Sequence, residues 1–162
     1  MNRAARIFAA GLIAGTLDIG DNIILNQFRG VTPAMIFRFI GSSLLGRQAA
    51  AHTHWSVPLG VAIHFALALG WTALFFLLAR RVRALVRRPV LGGLAYGFCV
   101  WCFMNYIAVP LTRVPPLPPA RGWLLINSMA AVMVCIGLAA SLLLRAFSAL
   151  PAAPAGRASA AE

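Results

Sequence analysis

This sequence of 162 residues has no lysine and very few acidic side chains. It has 3 acidic residues against 14 basic ones, and every basic residue is an arginine. Charged residues make up 10% of the chain and hydrophobic residues 61%, whereas about a quarter of an ordinary soluble domain is charged. A soluble domain of this length needs a polar surface over most of its area. The composition excludes such a domain and predicts that the chain lies in a lipid bilayer.

Four apolar runs are long enough to cross a bilayer. A hydrocarbon core about 30 Å thick requires roughly 20 apolar residues in a helix. The predicted spans cover residues 5–26, 57–79, 90–109 and 123–144. We therefore predict an all-α, polytopic membrane protein whose four transmembrane helices form a bundle, in a single domain over residues 1–147. Residues 148–162 are rich in alanine and proline, and we expect them to form a disordered cytoplasmic tail.

The start of the chain is compatible with two interpretations. Arg3 and Arg6 precede an apolar run over residues 7–17, as in a secretory signal peptide. Asp18 and Asp21 stand where a cleavage site between small residues would be expected. We therefore expect the segment to remain as an uncleaved first span.

The positions of the arginines predict the orientation. Five of them lie in the short connection between the second and third spans: Arg80, Arg81, Arg83, Arg87 and Arg88. Because positively charged connections are retained in the cytoplasm, we expect both termini on the cytoplasmic side of a bacterial inner membrane. The same loop would attract anionic lipid headgroups. Nearly all arginines lie at span ends or in connections, which indicates a topology signal and excludes nucleic acid as a partner.

The connection between the first two spans is longer than a hairpin requires. Its middle, residues 33–50, begins with a proline suited to a first helical turn and mixes apolar residues with Arg38 and Arg47. This predicts a short amphipathic helix that lies at the outer interface or dips into the bundle. The connection over residues 110–121 is rich in proline, which favours an extended polyproline II path.

Polar residues recur at a similar depth in all four spans. An ionised carboxylate at the bilayer centre costs about 2.5 to 3.5 kcal/mol, so each such residue requires an explanation. At about 1.5 Å per residue, they lie toward the end of the bundle away from the five-arginine loop. The candidate intramembrane site consists of Asp18, Asp21, Asn22, His64, Asn105, Tyr106 and Asn127. We predict one polar cluster inside the bundle, open or nearly open to the outer face.

Three states are compatible with these carboxylates. They could be protonated and hydrogen-bonded to Asn105 or Asn127, ionised against protonated His64, or ionised against Arg38. Asp18 or Asp21 paired with His64 would form a titratable proton or ion site. The same residues could instead serve only as polar contacts that fix helix packing.

Two weaker patterns bear on cofactors. Cys99 and Cys102 have the CxxC spacing of redox proteins, but they lie in the middle of a span and face different directions, which favours buried thiols. His52 and His54 could contribute to a metal site, but they are more typical of interfacial residues. We therefore predict neither a metal nor another cofactor.

Four segments carry a family resemblance. They are residues 11–19 (GLIAGTLDI), 38–47 (RFIGSSLLGR), 63–65 (IHF) and 103–111 (FMNYIAVPL). Together they resemble a family of small, uncharacterised bacterial inner-membrane proteins with four spans, over roughly residues 7–145. The resemblance implies the structural class and the membrane location, and it assigns no catalytic residue.

The leading functional prediction is a non-enzymatic integral membrane protein whose polar cluster passes or senses protons or a small solute. One alternative is a structural or accessory subunit, packed by its glycines into a homo-oligomer or a larger membrane complex. The other alternative is a membrane thiol and quinone redox enzyme that uses the cysteine pair.

Overall fold

The computed structural model describes residues 2–114 and 121–149, and within these ranges the secondary structure is entirely helical. The α-helices are α1 (Arg3–Gln27), α2 (Pro33–Leu45), α3 (Arg47–His52), α4 (Ser56–Arg81), α5 (Arg83–Arg87), α6 (Pro89–Phe103), α7 (Trp123–Ala131) and α8 (Ala139–Ala149). A π-helical turn at Met104–Ala108 and a 3-10 turn at Val109–Leu111 extend α6. A second π-helical segment, Val132–Leu138, joins α7 to α8.

Four helices are long and apolar enough to cross a membrane. They are Arg3–Gln27, Ser56–Arg81, Pro89–Leu111 and Trp123–Phe147, and we call them the first to fourth spans. Each extends a few residues beyond the range predicted from the sequence. The shorter apolar helix Pro33–Leu45 lies between the first two. The predicted all-α fold with four spans and an additional helix is confirmed.

Glycine allows the first and second spans to approach closely. A Cβ atom at Gly11 would lie 2.6 Å from the Leu69 side chain, and one at Gly15 would lie 2.8 Å from the Ala68 Cβ. As α1 proceeds from Gly11 to Gly15, its contacts on α4 move backward along the chain, so the two helices are antiparallel. Small residues at a helix interface permit this contact in a membrane, where packing replaces the hydrophobic effect as the driving force.

The third and fourth spans form a second glycine-mediated pair. A Cβ atom at Gly93 would lie 2.9 Å from the Leu138 Cα, and one at Gly97 would lie 2.5 Å from the Met133 Cα. Gly137 of the fourth span faces both glycines. The glycine contacts of both pairs therefore lie within the chain.

Side chains join the two pairs near the cytoplasmic end predicted for the bundle. Phe75 is completely buried, and its ring centroid lies 5.1 Å from that of Tyr96 on α6. The Tyr96 hydroxyl donates a hydrogen bond to the Trp71 carbonyl oxygen at 2.6 Å. Ala10 and Ala140 complete this buried cluster from the first and fourth spans.

Helix α2 packs along α4. Gly41 faces Ser56, and Gly60 faces the Phe37 carbonyl group, so the helices are antiparallel and nearly in backbone contact. The predicted helix over residues 33–50 is not continuous, because Gly46 has a φ of 79° and separates α2 from α3. The chain therefore folds back at Gly46, a conformation that favours glycine.

Two predicted features extend beyond the described residues. Most prolines of the predicted polyproline connection lie in residues 115–120, outside the described ranges. Residues 150–162 of the predicted disordered tail also lie outside them. The prediction was wrong at the start of that tail, since α8 continues to Ala149.

Candidate functional site

A hydrogen bond between polar side chains connects the first span to the fourth. The Asn127 Nδ2 donates to Asp21 Oδ2 at 3.0 Å, and both residues are half-buried. Asp21 lies near the end of α1 and Asn127 in the first turns of α7, so both occupy the end of the bundle away from α5. The structure therefore provides the amide partner that the sequence predicted for one acid.

Asp18 faces a different span. It is half-buried and interacts electrostatically with His64 of α4, as well as with Asp21. Cys135, in the π-helical segment of the fourth span, interacts electrostatically with both acids. Electrostatic interactions therefore link residues of the first, second and fourth spans, whereas the sequence predicted a cluster with residues from all four.

His64 is held in a defined orientation. Its Nε2 lies 2.9 Å from the Gly15 carbonyl oxygen on α1, and its ring makes edge contacts with Phe37 and Phe65. A carbonyl oxygen only accepts hydrogen bonds, so Nε2 carries the hydrogen. In a neutral ring the Nδ1 atom is then the acceptor, and it is the atom that gains a proton.

Asn22 belongs to a separate series of hydrogen bonds along the end of α1. Asn26 donates to the Asn22 carbonyl oxygen at 2.9 Å and to its side-chain oxygen at 3.1 Å. Arg29 donates in turn to the Asn26 side chain at 3.1 Å. The structure therefore places Asn22 beside the cluster, without contact to His64 or Asn127.

The polar residues of the third span also lie apart from the cluster. The Asn105 side chain donates to the Trp101 carbonyl oxygen of its own helix at 2.9 Å. Tyr106 is 71% exposed and packs edge-on against the Trp101 ring at 5.9 Å. Both residues lie in the π-helical turn Met104–Ala108. Depth alone predicted them as members of the site, and the structure does not bring them to Asp18 or Asp21.

Arg38 is not the ionic partner of either acid in the described part of the chain. It is exposed on α2 and lines a cleft together with Arg47. The five basic residues predicted as a topology and lipid-facing loop are all exposed, at the opposite end of the bundle from His64: Arg80, Arg81, Arg83, Arg87 and Arg88.

In the part of the chain that the structure describes, the CxxC cysteines and the loop histidines gain no further metal-ligating residues. Cys99 and Cys102 are free thiols, with Cys99 exposed on the helix surface. The His54 ring packs on Trp55 at 5.6 Å. Within residues 2–114 and 121–149, no three His, Cys, Asp or Glu residues come close enough together to hold a metal ion.

Two residues at the site carried no clear signal in the sequence. Gly15 packs α1 against α4, and its carbonyl group also orients His64. Cys135 of the fourth span interacts electrostatically with both acids. A contact through a backbone carbonyl group has no residue-type signature, so only the depth of Gly15, close to that of Asp18, could have indicated it.

The cluster combines a carboxyl group, an imidazole and an amide-anchored second carboxyl group. Such a set can accept, hold and release protons, and ionisable residues within spans are typical of proton relays and ion pathways. Comparison of the chain with models of protein families, with curated proteins and with solved structures gives no match.

Proposed function

We propose that this chain is an integral membrane protein that takes up protons at Asp18 and His64, in proton-linked transport or sensing of a small solute. The observation that carries the proposal is the contact of His64 Nε2 with the Gly15 carbonyl oxygen at 2.9 Å, which places the imidazole of the second span less than one helical turn from Asp18 on α1. Ionisable residues destabilise a membrane helix and are therefore found mainly where they serve a function. Asp18 and His64 together form a pair of an acid and a base.

The anchoring of His64 suits proton exchange. Its Nε2 hydrogen remains bonded to the Gly15 carbonyl oxygen in both protonation states, because the proton is gained and lost at Nδ1. An ionised Asp18 stabilises the imidazolium form, and the neutral ring leaves Asp18 free to bind a proton. The pair can therefore change its charge without rotation of the ring.

Asp21 has a positioning role in this proposal. Its bond to Asn127 holds the first span against the fourth at the level of Asp18. The glycine contact at Gly15 holds the same helix against α4. The two contacts hold α1 against two different spans, so that Asp18 stays close to His64.

The proposed setting is a bacterial inner membrane with both termini in the cytoplasm. This orientation follows from the five-arginine connection, whose charges favour retention on the cytoplasmic side. It gives the Asp18 and His64 pair access from the outer aqueous phase, because the pair lies within the outer part of the bundle. The proposed lipid contacts of the five arginines are then with the inner leaflet.

Proton flux into proteoliposomes tests the proposal. The purified protein is reconstituted with an internal pH-sensitive dye, and a pH gradient is imposed in each direction. We expect flux above that of protein-free vesicles, and a fall to their level in Asp18→Asn and in His64→Gln, which keeps a donor for the Gly15 carbonyl group. Asn105→Ala is the matched control and should retain flux, since its amide bonds its own helix.

Infrared spectroscopy of the carboxyl C=O stretch distinguishes transport from sensing. A titrating carboxyl band that disappears in Asp18→Asn, in a protein without flux, would assign sensing to the same pair. Absence of both the flux and the band in the unchanged protein would contradict the proposal, as would an unaltered band and flux in Asp18→Asn.

A further inference from the structure

A cleft between α2 and α3 places two arginines beside an apolar wall. Its volume is about 390 Å³. Arg38 and Arg47 supply the positive charge, and the apolar lining includes Met35, Phe39 and Ala51. None of the described residues that line the cleft is acidic. The cleft is therefore electropositive on one side and apolar on the other.

The backbone of this region explains how the cleft forms. Gly41 packs α2 against α4, while Met35, Arg38 and Phe39 of α2 remain exposed. The positive φ of Gly46 turns the chain so that α3 folds back beside α2. Arg38 on α2 and Arg47 at the start of α3 consequently line the same space, although a helix break separates them.

Among the residues that the structure describes, none is an acidic counter-ion for the two guanidinium groups. Neither forms an ion pair with Asp18 or Asp21, the acids of the described ranges, and both side chains are exposed. The Ser42 hydroxyl at the cleft donates to the Phe39 carbonyl oxygen at 2.6 Å, so its hydrogen is already used. An anion bound here would be held by the arginines alone. Guanidinium groups match phosphate well, because their planar donors bind it in pairs.

We propose that this cleft binds the phosphate of an anionic phospholipid, with the upper part of its acyl chains against Met35 and Phe39. Charge complementarity selects an anion, and the apolar wall selects a lipid over a free phosphate ion. The site lies at the end of the bundle away from the five-arginine loop, so it is distinct from the lipid contacts of that loop. It is also independent of proton uptake at Asp18 and His64.

Native mass spectrometry of the full chain in mild detergent tests the site. The probes are phosphatidylglycerol, zwitterionic phosphatidylcholine and inorganic phosphate. We expect tighter binding of phosphatidylglycerol than of phosphatidylcholine, and about 30-fold weaker phosphatidylglycerol binding in Arg38→Gln/Arg47→Gln, from the attraction that two arginines supply near a membrane surface. The matched control, Arg29→Gln/Arg121→Gln, removes two charges from the same end and should bind like the unchanged protein.

Each arm has an outcome that would overturn the lipid site. Equal binding of the two lipids, or equal loss in the two double variants, would show that no site exists at the cleft. Displacement of phosphatidylglycerol by millimolar inorganic phosphate would identify a free anion as the ligand. Arg38→Lys/Arg47→Lys guards against misfolding: it keeps the charge but not the paired donors, so it should bind phosphatidylglycerol more weakly than the unchanged protein and more tightly than the glutamine variant.

Discussion

At the scale of single residues, the two acids of the first span have different partners. Asp21 accepts a hydrogen bond from Asn127 of the fourth span, whereas Asp18 faces the histidine of the second. A single helix therefore offers one carboxyl group to a neutral amide and one to a basic ring. An amide leaves the charge of its partner unchanged, while an imidazole can exchange a proton with it. In the proposed function, proton exchange therefore falls to Asp18.

The bond between Asp21 and Asn127 should contribute measurably to stability. Interhelical hydrogen bonds in membrane proteins average about 0.6 kcal/mol, with the largest near 1.7 kcal/mol. We expect a coupling free energy in this range from a double-mutant cycle of Asp21→Ala and Asn127→Ala, measured by unfolding in mixed micelles. The same cycle with Asn105→Ala in place of Asn127→Ala should give a coupling near zero. Equal coupling in both cycles would argue against the bond.

The sequence predicted the depth of the polar residues but not the face of the helix on which each lies. Asn22 follows Asp18 by one helical step of four residues, which advances about 40° beyond a full turn. That rotation moves it toward the exposed surface, where it bonds Asn26. Asn105 lies in a π-helical turn, which changes the rotation of the residues that follow. The depth of a residue in the membrane changes by a constant rise per residue along a helix. The direction of its side chain depends on the rotation of every turn that precedes it.

At the scale of helices, backbone contact at glycine decides which elements are close. Gly60 lies against the Phe37 carbonyl group, while Gly70 on the same helix has no atom within 4 Å of an added Cβ. Both are glycines of α4, with the same cost of helix formation. They differ only in what surrounds them, which makes them a matched pair.

Replacement of these glycines by alanine should have opposite effects. In Gly60→Ala, α2 must move away from α4, and overpacking of this kind costs about 1 to 3 kcal/mol. In Gly70→Ala, the space is open and alanine favours the helix by about 0.5 to 1 kcal/mol. The measurement is the Tm in detergent, which should fall for Gly60→Ala and stay constant or rise for Gly70→Ala. A Tm of Gly60→Ala equal to that of the unchanged protein would contradict the close packing.

The irregular turns of the third and fourth spans were harder to predict. Pro110 follows the first of them and removes a backbone donor, which is a known cause of irregular helix geometry. No proline accompanies the second, at Val132–Leu138, where Gly137 approaches Gly93 and Gly97. The sequence therefore carried a signal for the first π-helical turn and none for the second, because contacts between helices distant in the chain cannot be predicted from local sequence.

At the scale of the whole molecule, the two charged features lie at opposite ends. The exposed arginines around α5 occupy one end of the bundle, and the polar cluster lies toward the other. The positions of the arginines allowed the four spans to be predicted within a few residues of the helices, because charge at a membrane boundary marks the ends of each span directly. The excursion of α2 and α3 was less predictable, since a short apolar helix can lie at an interface or within a bundle.

The arginine distribution predicts how the whole molecule inserts. A C-terminal fluorescent fusion should be active, and a C-terminal alkaline phosphatase fusion inactive, because both termini are expected in the cytoplasm. Glutamine at positions 80, 81, 83, 87 and 88 should give a mixture of orientations. Glutamine at positions 29, 38, 47, 113 and 121 removes five charges from the other side and should leave the orientation unchanged. Phosphatase activity in the fusion of the unchanged protein would contradict the orientation.

The two glycine-mediated pairs have a mechanical consequence. Within each pair, glycines allow close packing: backbone lies against backbone at Gly93 and Gly97, and the α1 backbone at Gly11 and Gly15 lies mainly against side chains of α4. Each pair should therefore move as a rigid body, whereas side chains such as Phe75 and Tyr96 form the contact between the pairs. Any opening of the bundle is then a rocking of the two pairs against each other along the contact between them. The Asp21 to Asn127 hydrogen bond lies at one end of this contact and the Tyr96 to Trp71 hydrogen bond at the other. A disulfide engineered between the two pairs should arrest proton flux, whereas a disulfide engineered within one pair should leave the flux intact. The hydrogen bonds between the two halves would have to break before the halves could rock apart. The close packing at the glycines would keep each half rigid during that motion.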